Sequence, residues 1–188
     1  MTTLETVSGE VTASPPSKNH NTTSRLPVNF DSIPTELKQT AQWVLWRYEV
    51  RDGKQGKVPY QPNGRKASST DASTWSTFEA VKAAYEQGSF SGIGFVLANG
   101  FAGVDFDHCR DPSTGEIDAW AKAYLNRLSS YSEVSPSGEC VHCILRGSLL
   151  KGVDGRRKAL EGEGYRPKAA IEMYSASRYF TVTGDRLG

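Results

Sequence analysis

Large apolar residues begin to cluster at Phe30, and from there short apolar runs alternate with polar turns. Residues 34–39 predict a short helix with Ser32 as its cap. Residues 43–50 (WVLWRYEV) are aromatic and β-branched, which predicts a strand. Asp52-Gly53 then signals a hairpin, with a shorter strand expected around residues 57–60. A long polar loop follows over residues 61–74. Ser76 and Glu79 fit a capping box; behind it Phe78, Val81 and Tyr85 share a helical face, and Gly88 supplies the stop. GIGFVL at 92–97 reads as a buried strand, Asn99-Gly100 as a turn, and FAGVDFD at 101–107 as the next strand. A second amphipathic helix presents Ile117, Trp120, Tyr124, Leu125 and Leu128 on one face. Further strands are expected around residues 131–135, 141–145, 169–174 and 179–183. Residues 151–168, basic and Gly-rich, predict a mobile loop with at most a helical turn. Antiparallel-looking strands with two or three helices make an α+β domain.

Residues 1–27 are rich in Thr, Ser, Pro and Asn and predict a disordered leader, leaving 28–188 as the folded domain. No apolar run approaches the ~20 residues of a spanning helix, and residues 1–10 lack the pattern of a signal peptide. Three cysteines do not make a disulfide scaffold. The expectation is therefore a cytoplasmic protein with no membrane partner.

The net charge of +1 argues against a nonspecific nucleic-acid coat, but the charge is unevenly distributed. Residues 47–66 hold six basic and two acidic side chains, and residues 151–168 hold six against three. Between them, residues 101–120 hold one basic residue and five acidic ones. An acidic centre between basic flanks suits a site that gathers cations and a polyanion; solvated loops of mixed charge are the plainer alternative.

The strongest local signal is Gly103-Val104-Asp105-Phe106-Asp107-His108. On a strand, Asp105 and Asp107 point to one face while Val104 and Phe106 point to the core. Two adjacent carboxylates repel, and a divalent cation such as Mg²⁺ removes that penalty; two exposed aspartates at a strand end are the plainer alternative. Glu172 likewise interrupts an apolar run, Ala170-Ile171-Glu172-Met173-Tyr174, and converges with the aspartates if its strand is a neighbour. Ser135-Pro136-Ser137-Gly138 makes a tight turn whose N–H groups suit a phosphate, and His142 emerges on the strand beyond. Arg178 could clamp phosphate in pairs of hydrogen bonds, or be a surface arginine at a hairpin turn. Zinc is disfavoured for Cys140, His142 and Cys143, because Cys143 faces away from the other two; no thiol is marked as a nucleophile. The chain has no G-x-x-x-x-G-K-[ST] loop.

Two acidic residues on one strand (Asp105, Asp107), a small-residue turn leading to a His (Ser135 to His142) and a third acid on a later strand (Glu172) resemble the archaeo-eukaryotic primase superfamily. The text around them (WVLWRYEVRDGKQGKVPYQPNGRKASSTDASTWSTFEAVKAAYEQG, GIGFVL, SPSG and RYFTVTG) is similar to the primase–polymerase domains of phages, plasmids and integrated elements. One departure is Cys140, where the family often has a small residue. The resemblance implies a two-lobed α+β fold with an RNA-recognition-like catalytic lobe. It implies template-directed nucleotidyl transfer, as a DNA primase or polymerase, with two Mg²⁺ or Mn²⁺ ions on Asp105, Asp107 and Glu172. The incoming nucleoside triphosphate would meet His142, Ser137, Gly138 and Arg178, with Lys57 and Arg65 as further nucleotide or template contacts. Implied partners are single-stranded or primed DNA template and a helicase or helical priming domain. Two other readings stand beside it: a noncatalytic module of the same fold that binds single-stranded nucleic acid or a partner, and a metal-dependent nuclease.

Overall fold

The structure, a computed structural model, describes residues 26–188. A 3-10 turn (Phe30–Ser32) and helix α1 (Thr35–Lys38) precede the hairpin of β1 (Trp43–Arg51) and β2 (Lys54–Tyr60). Then come α2 (Phe78–Glu86), β3 (Gly92–Leu97), β4 (Phe101–Asp107), α3 (Ala119–Leu128), β5 (Tyr131–Val134) and β6 (Val141–Arg146). β7 (Gly155–Ala159), β8 (Ala170–Tyr174) and β9 (Arg178–Val182) complete the described chain. The expected α+β class is the one found. The strands form two antiparallel sheets, ordered β2-β1-β3-β9 and β5-β6-β4-β8-β7. β9 therefore follows β8 in the chain but joins the other sheet.

The first sheet is buried at its centre. Trp43, Val44, Leu45 and Trp46 are all buried in succession, as is every residue of β3. The two indole N–H groups donate to the carbonyls of Leu37 (2.9 Å) and Ile93 (3.0 Å), so neither is left unpaired inside. α2 buries Phe78, Val81, Ala84 and Tyr85 in the same cluster. The second sheet divides cleanly by face. Val104, Phe106, Val141 and Cys143 pack with Ala121 and with the half-buried Trp120, Leu125, Ile171 and Met173. The intervening residues of the same strands point the other way, where β9 supplies Phe180.

Local expectations were met unevenly. Asp52 and Gly53 are the two turn residues, both left-handed at φ 50° and 72°, which matches the twist of a tight hairpin. Thr77, not Ser76, caps α2 by accepting from Ala80 N–H, because Ser76 is paired with the backbone of Trp43. Ser32 caps no helix; its Oγ accepts from Asn29. The loop expected over 151–168 contains β7, whose Arg and Lys side chains are exposed. Among the described residues it is an edge strand paired only to β8, so it shows no apolar alternation to read. The leader lies outside the described residues except for Leu26 and Pro27, and Leu26 N–H donates to Ser91 O (2.9 Å).

Gly103 of β4 is enclosed: a Cβ there would lie 2.4 Å from the Phe180 ring and 2.7 Å from Leu97. Gly103→Ala is expected to cost about 1–3 kcal/mol by overpacking. Urea unfolding monitored by tryptophan fluorescence checks this; an unchanged midpoint would show that Phe180 moves freely.

Candidate active site

Strand register builds the site. Asp105 of β4 lies opposite His142 of β6 on one side and Glu172 of β8 on the other. His142 is in turn opposite Glu133 of β5, and Glu172 opposite Arg157 of β7. Cross-strand partners share a face, so Glu133, His142, Asp105, Glu172 and Arg157 form one row across all five strands. Asp107 stands one pleat further along the same face. β9 and Lys57 of β2 close the opposite side. Lys57, Arg178, Tyr179 and Thr181 face Asp105, His142 and Glu172 across a cleft of about 340 Å³.

Asp105 Oδ1 is buried and accepts no hydrogen bond among the described residues. The His142 Nε2 atom is 3.7 Å away. The Cys140 thiol donates to Asp107 Oδ1 at 3.7 Å, and Asp105, Asp107 and Cys140 offer ligand atoms within 4.8 Å of one another. Burial, then repulsion from Glu172, pushes Asp105 up to about 7, against the pull of Lys57 and Arg178. Burial, then Asp105 and Glu172, pushes Asp107 up to about 6. Desolvation lowers the Lys57 ammonium, and the nearby Asp105 partly offsets it. Burial likewise draws His142 down. His142 Nδ1 lies 3.1 Å from Thr181 O, an atom that only accepts, so Nδ1 carries the proton and Nε2 faces the cleft. The Phe180 ring stacks on the imidazole with centroids 4.7 Å apart.

Glu172 shares the row but is not within the three-donor group. Its Oε1 accepts from Arg157 Nε (2.7 Å) and its Oε2 from the Tyr174 hydroxyl. Arg178 donates to that same Tyr174 oxygen (2.7 Å) and lies over its ring. Ser137 and Gly138 sit at the Asp107 end: Ser137 Oγ donates to Cys140 Sγ (3.8 Å), and Gly138, at φ 77°, gives its carbonyl to Arg110. Neither lines the cleft, and Arg65 stands away from it in an exposed turn closed by its own backbone. A larger groove of about 940 Å³ beside α1 and α3 has, among the described residues, a single acidic side chain, Glu36, which is paired with Arg146.

Zinc-type convergence is absent among the described residues. Cys109 and Cys143 are buried in the apolar cluster under α3, where burial pushes the Cys109 thiol up to about 12. His108 faces Glu139 instead (3.4 Å). Three residues went unread in the sequence: Cys140 as a donor beside the aspartates, Glu133, and Arg157 as the partner of Glu172. Strand parity signals the first, since Cys140 is two residues from His142. The other two depend on pairings between distant segments.

No family model matches the chain. Over 152 residues the chain is 37% identical to a DNA primase-polymerase of Nitratiruptor phage NrS-1. The match covers 79% of this chain and 20% of that protein, so the chain spans about a fifth of the relative's length. The chain is thus related to a phage primase-polymerase, in keeping with the resemblance of its motifs.

The raised carboxyls carry a stability consequence. Asp105 and Asp107 bind protons more tightly folded than unfolded, so the stability they contribute is full below about pH 4 and is lost as pH rises through about 6 and 7. Asp105→Asn is therefore expected to be more stable than wild type at pH 8 and to differ little at pH 4. Urea midpoints at the two pH values check the sign; equal wild-type and variant curves at pH 8 would refute the burial argument.

Proposed function

We propose that the domain catalyses template-directed nucleotidyl transfer, as a primase or polymerase acting in the replication of a phage, plasmid or integrated element. One observation carries the reading: His142, Asp105 and Glu172 occupy one register row, and Lys57 and Arg178 face that row across the cleft. Relatedness to a phage primase-polymerase supports it.

The donors fit a divalent cation, because Asp105 Oδ1 is a buried acceptor with no hydrogen-bond partner among the described residues and Asp107 and Cys140 stand within 4.8 Å. Asp105 and Asp107, with Glu172 beside them, would hold two Mg²⁺ or Mn²⁺ ions. Bound there, such ions supply the charge that activates a primer 3′-hydroxyl and neutralises leaving pyrophosphate. The chain's own groups do the rest. Lys57 and Arg178 offer the triphosphate its positive charge, Arg178 in a planar fork suited to paired phosphate oxygens. His142 presents Nε2 to the same space, oriented by its bond to Thr181 O. The basic β1–β2 hairpin with Arg65 is the surface offered to a DNA template, whereas Arg156 and Lys158 of β7 share the face of Met173 and Ile171, away from the cleft.

Asp105→Ala is expected to abolish primer extension with Mg²⁺ or Mn²⁺ while melting as a folded protein; retained activity would overturn the metal assignment. Arg178→Ala is expected to raise the nucleotide KM about 10- to 100-fold, the equivalent of a charge-assisted hydrogen bond. Steady-state extension on a primed template measures it. Template binding without any incorporation by the wild-type chain would favour the noncatalytic module, and loss of the primer strand would favour a nuclease.

A further inference from the structure

Glu133 is fully buried in β5, and no catalytic step above uses it. Its carboxylate has three donors. Thr183 N–H reaches Oε1 at 2.9 Å, Gly184 N–H reaches Oε2 at 2.9 Å, and the Tyr131 hydroxyl reaches Oε2 at 2.5 Å. Thr183 and Gly184 are the residues immediately after β9, which belongs to the first sheet, whereas β5 belongs to the second. Glu133 therefore ties the two sheets together at the end of the strand that walls the cleft. Other bonds run alongside: Thr183 Oγ1 to Val134 O (2.8 Å), Val134 N–H to Asp185 O (2.8 Å) and Leu187 N–H to Ser132 O (2.9 Å).

The turn that presents these N–H groups is sharply constrained. Gly184 is left-handed at φ 68°, and a Cβ there would lie 2.0 Å from Asn29 O. Two residues upstream of the clamp, Thr181 O accepts the His142 Nδ1 proton, and Phe180 stacks on the imidazole. Glu133 also lies directly opposite His142 in the β5–β6 ladder.

We infer that Glu133 is a positioning residue: its carboxylate bolts β9 to β5, and through Thr181 and Phe180 it holds the His142 ring and the β9 wall of the cleft in register with the acidic row. This rests on the nucleotidyl-transfer reading for its kinetic consequence but not for its structural one. Glu133→Gln keeps the shape but turns an amide N–H₂ toward a backbone N–H, so one side of the clamp must open. On the nucleotidyl-transfer reading His142 and β9 meet the nucleotide both before and during reaction, so the loss should appear as weaker uniform binding.

The test uses the whole chain in two arms. In nucleotide-free protein, nitrogen NMR of the His142 ring should show the proton on Nδ1 in wild type and mixed tautomers in Glu133→Gln. In extension assays the variant should raise the nucleotide KM about tenfold with kcat nearly unchanged. A general loss of folded protein would instead lower the apparent kcat at constant KM. Tyr131→Phe removes one donor and keeps both N–H bonds, so it should shift KM the same way by a smaller factor even if Glu133→Gln fails to fold. An unchanged His142 spectrum and unchanged KM in whichever variant folds overturn the inference. A wild-type chain that incorporates no nucleotide overturns the proposed function alone, because the NMR arm still reads the clamp.

Discussion

The site depends on the register of β4. Val104 and Phe106 are locked into the apolar layer beneath α3, together with Val141, Cys143 and the half-buried Ile171 and Met173 of the flanking strands. A slip of one residue would turn that layer to the cleft and bury Asp105 and Asp107 under the helix. The hydrophobic free energy of one face thus holds carboxylates together on the other, where their mutual repulsion would otherwise drive them apart. The raised protonation range of Asp105 and Asp107 reflects that forced proximity and burial.

Around this frame the charges are graded. Along the row, Glu172 has Arg157 on its far side, and Asp105 has His142 on the other. Across the cleft stand Lys57 and Arg178, contributed by the opposite sheet. Opposed signs separated by open space across the cleft leave room for a ligand that carries both a polyanion and its cations. Cys140 adds a soft donor beside two hard carboxylates, an unusual neighbour for an oxygen-loving ion.

The crossover of β9 couples the two sheets. It pairs with β3 in the first sheet, where Tyr179 lies against Gly94 and donates to Lys57 O, while its Phe180 side chain lies over the second sheet, and small residues make this possible. Gly94 admits the Tyr179 ring and Gly103 admits Phe180, each at distances that leave no space for a methyl group. The cleft wall is consequently as well defined as the core that supports it.

Much of this was legible before folding was considered. Period-two alternation assigned Asp105 and Asp107 to one face of a strand, and the same parity set Cys140 and His142 on one face of another. The Asp52-Gly53 turn, the α2 face and the buried run of β3 also followed from local chemistry. Local pattern failed where partners are distant. β7 lacks alternation because it is a charged edge, and Glu133 looks like any strand glutamate until residues 183–184 close over it. Which acids become neighbours, and which oxygens remain unpaired, is set by strand order. That order follows from how two apolar faces find each other in space, a choice no single segment contains.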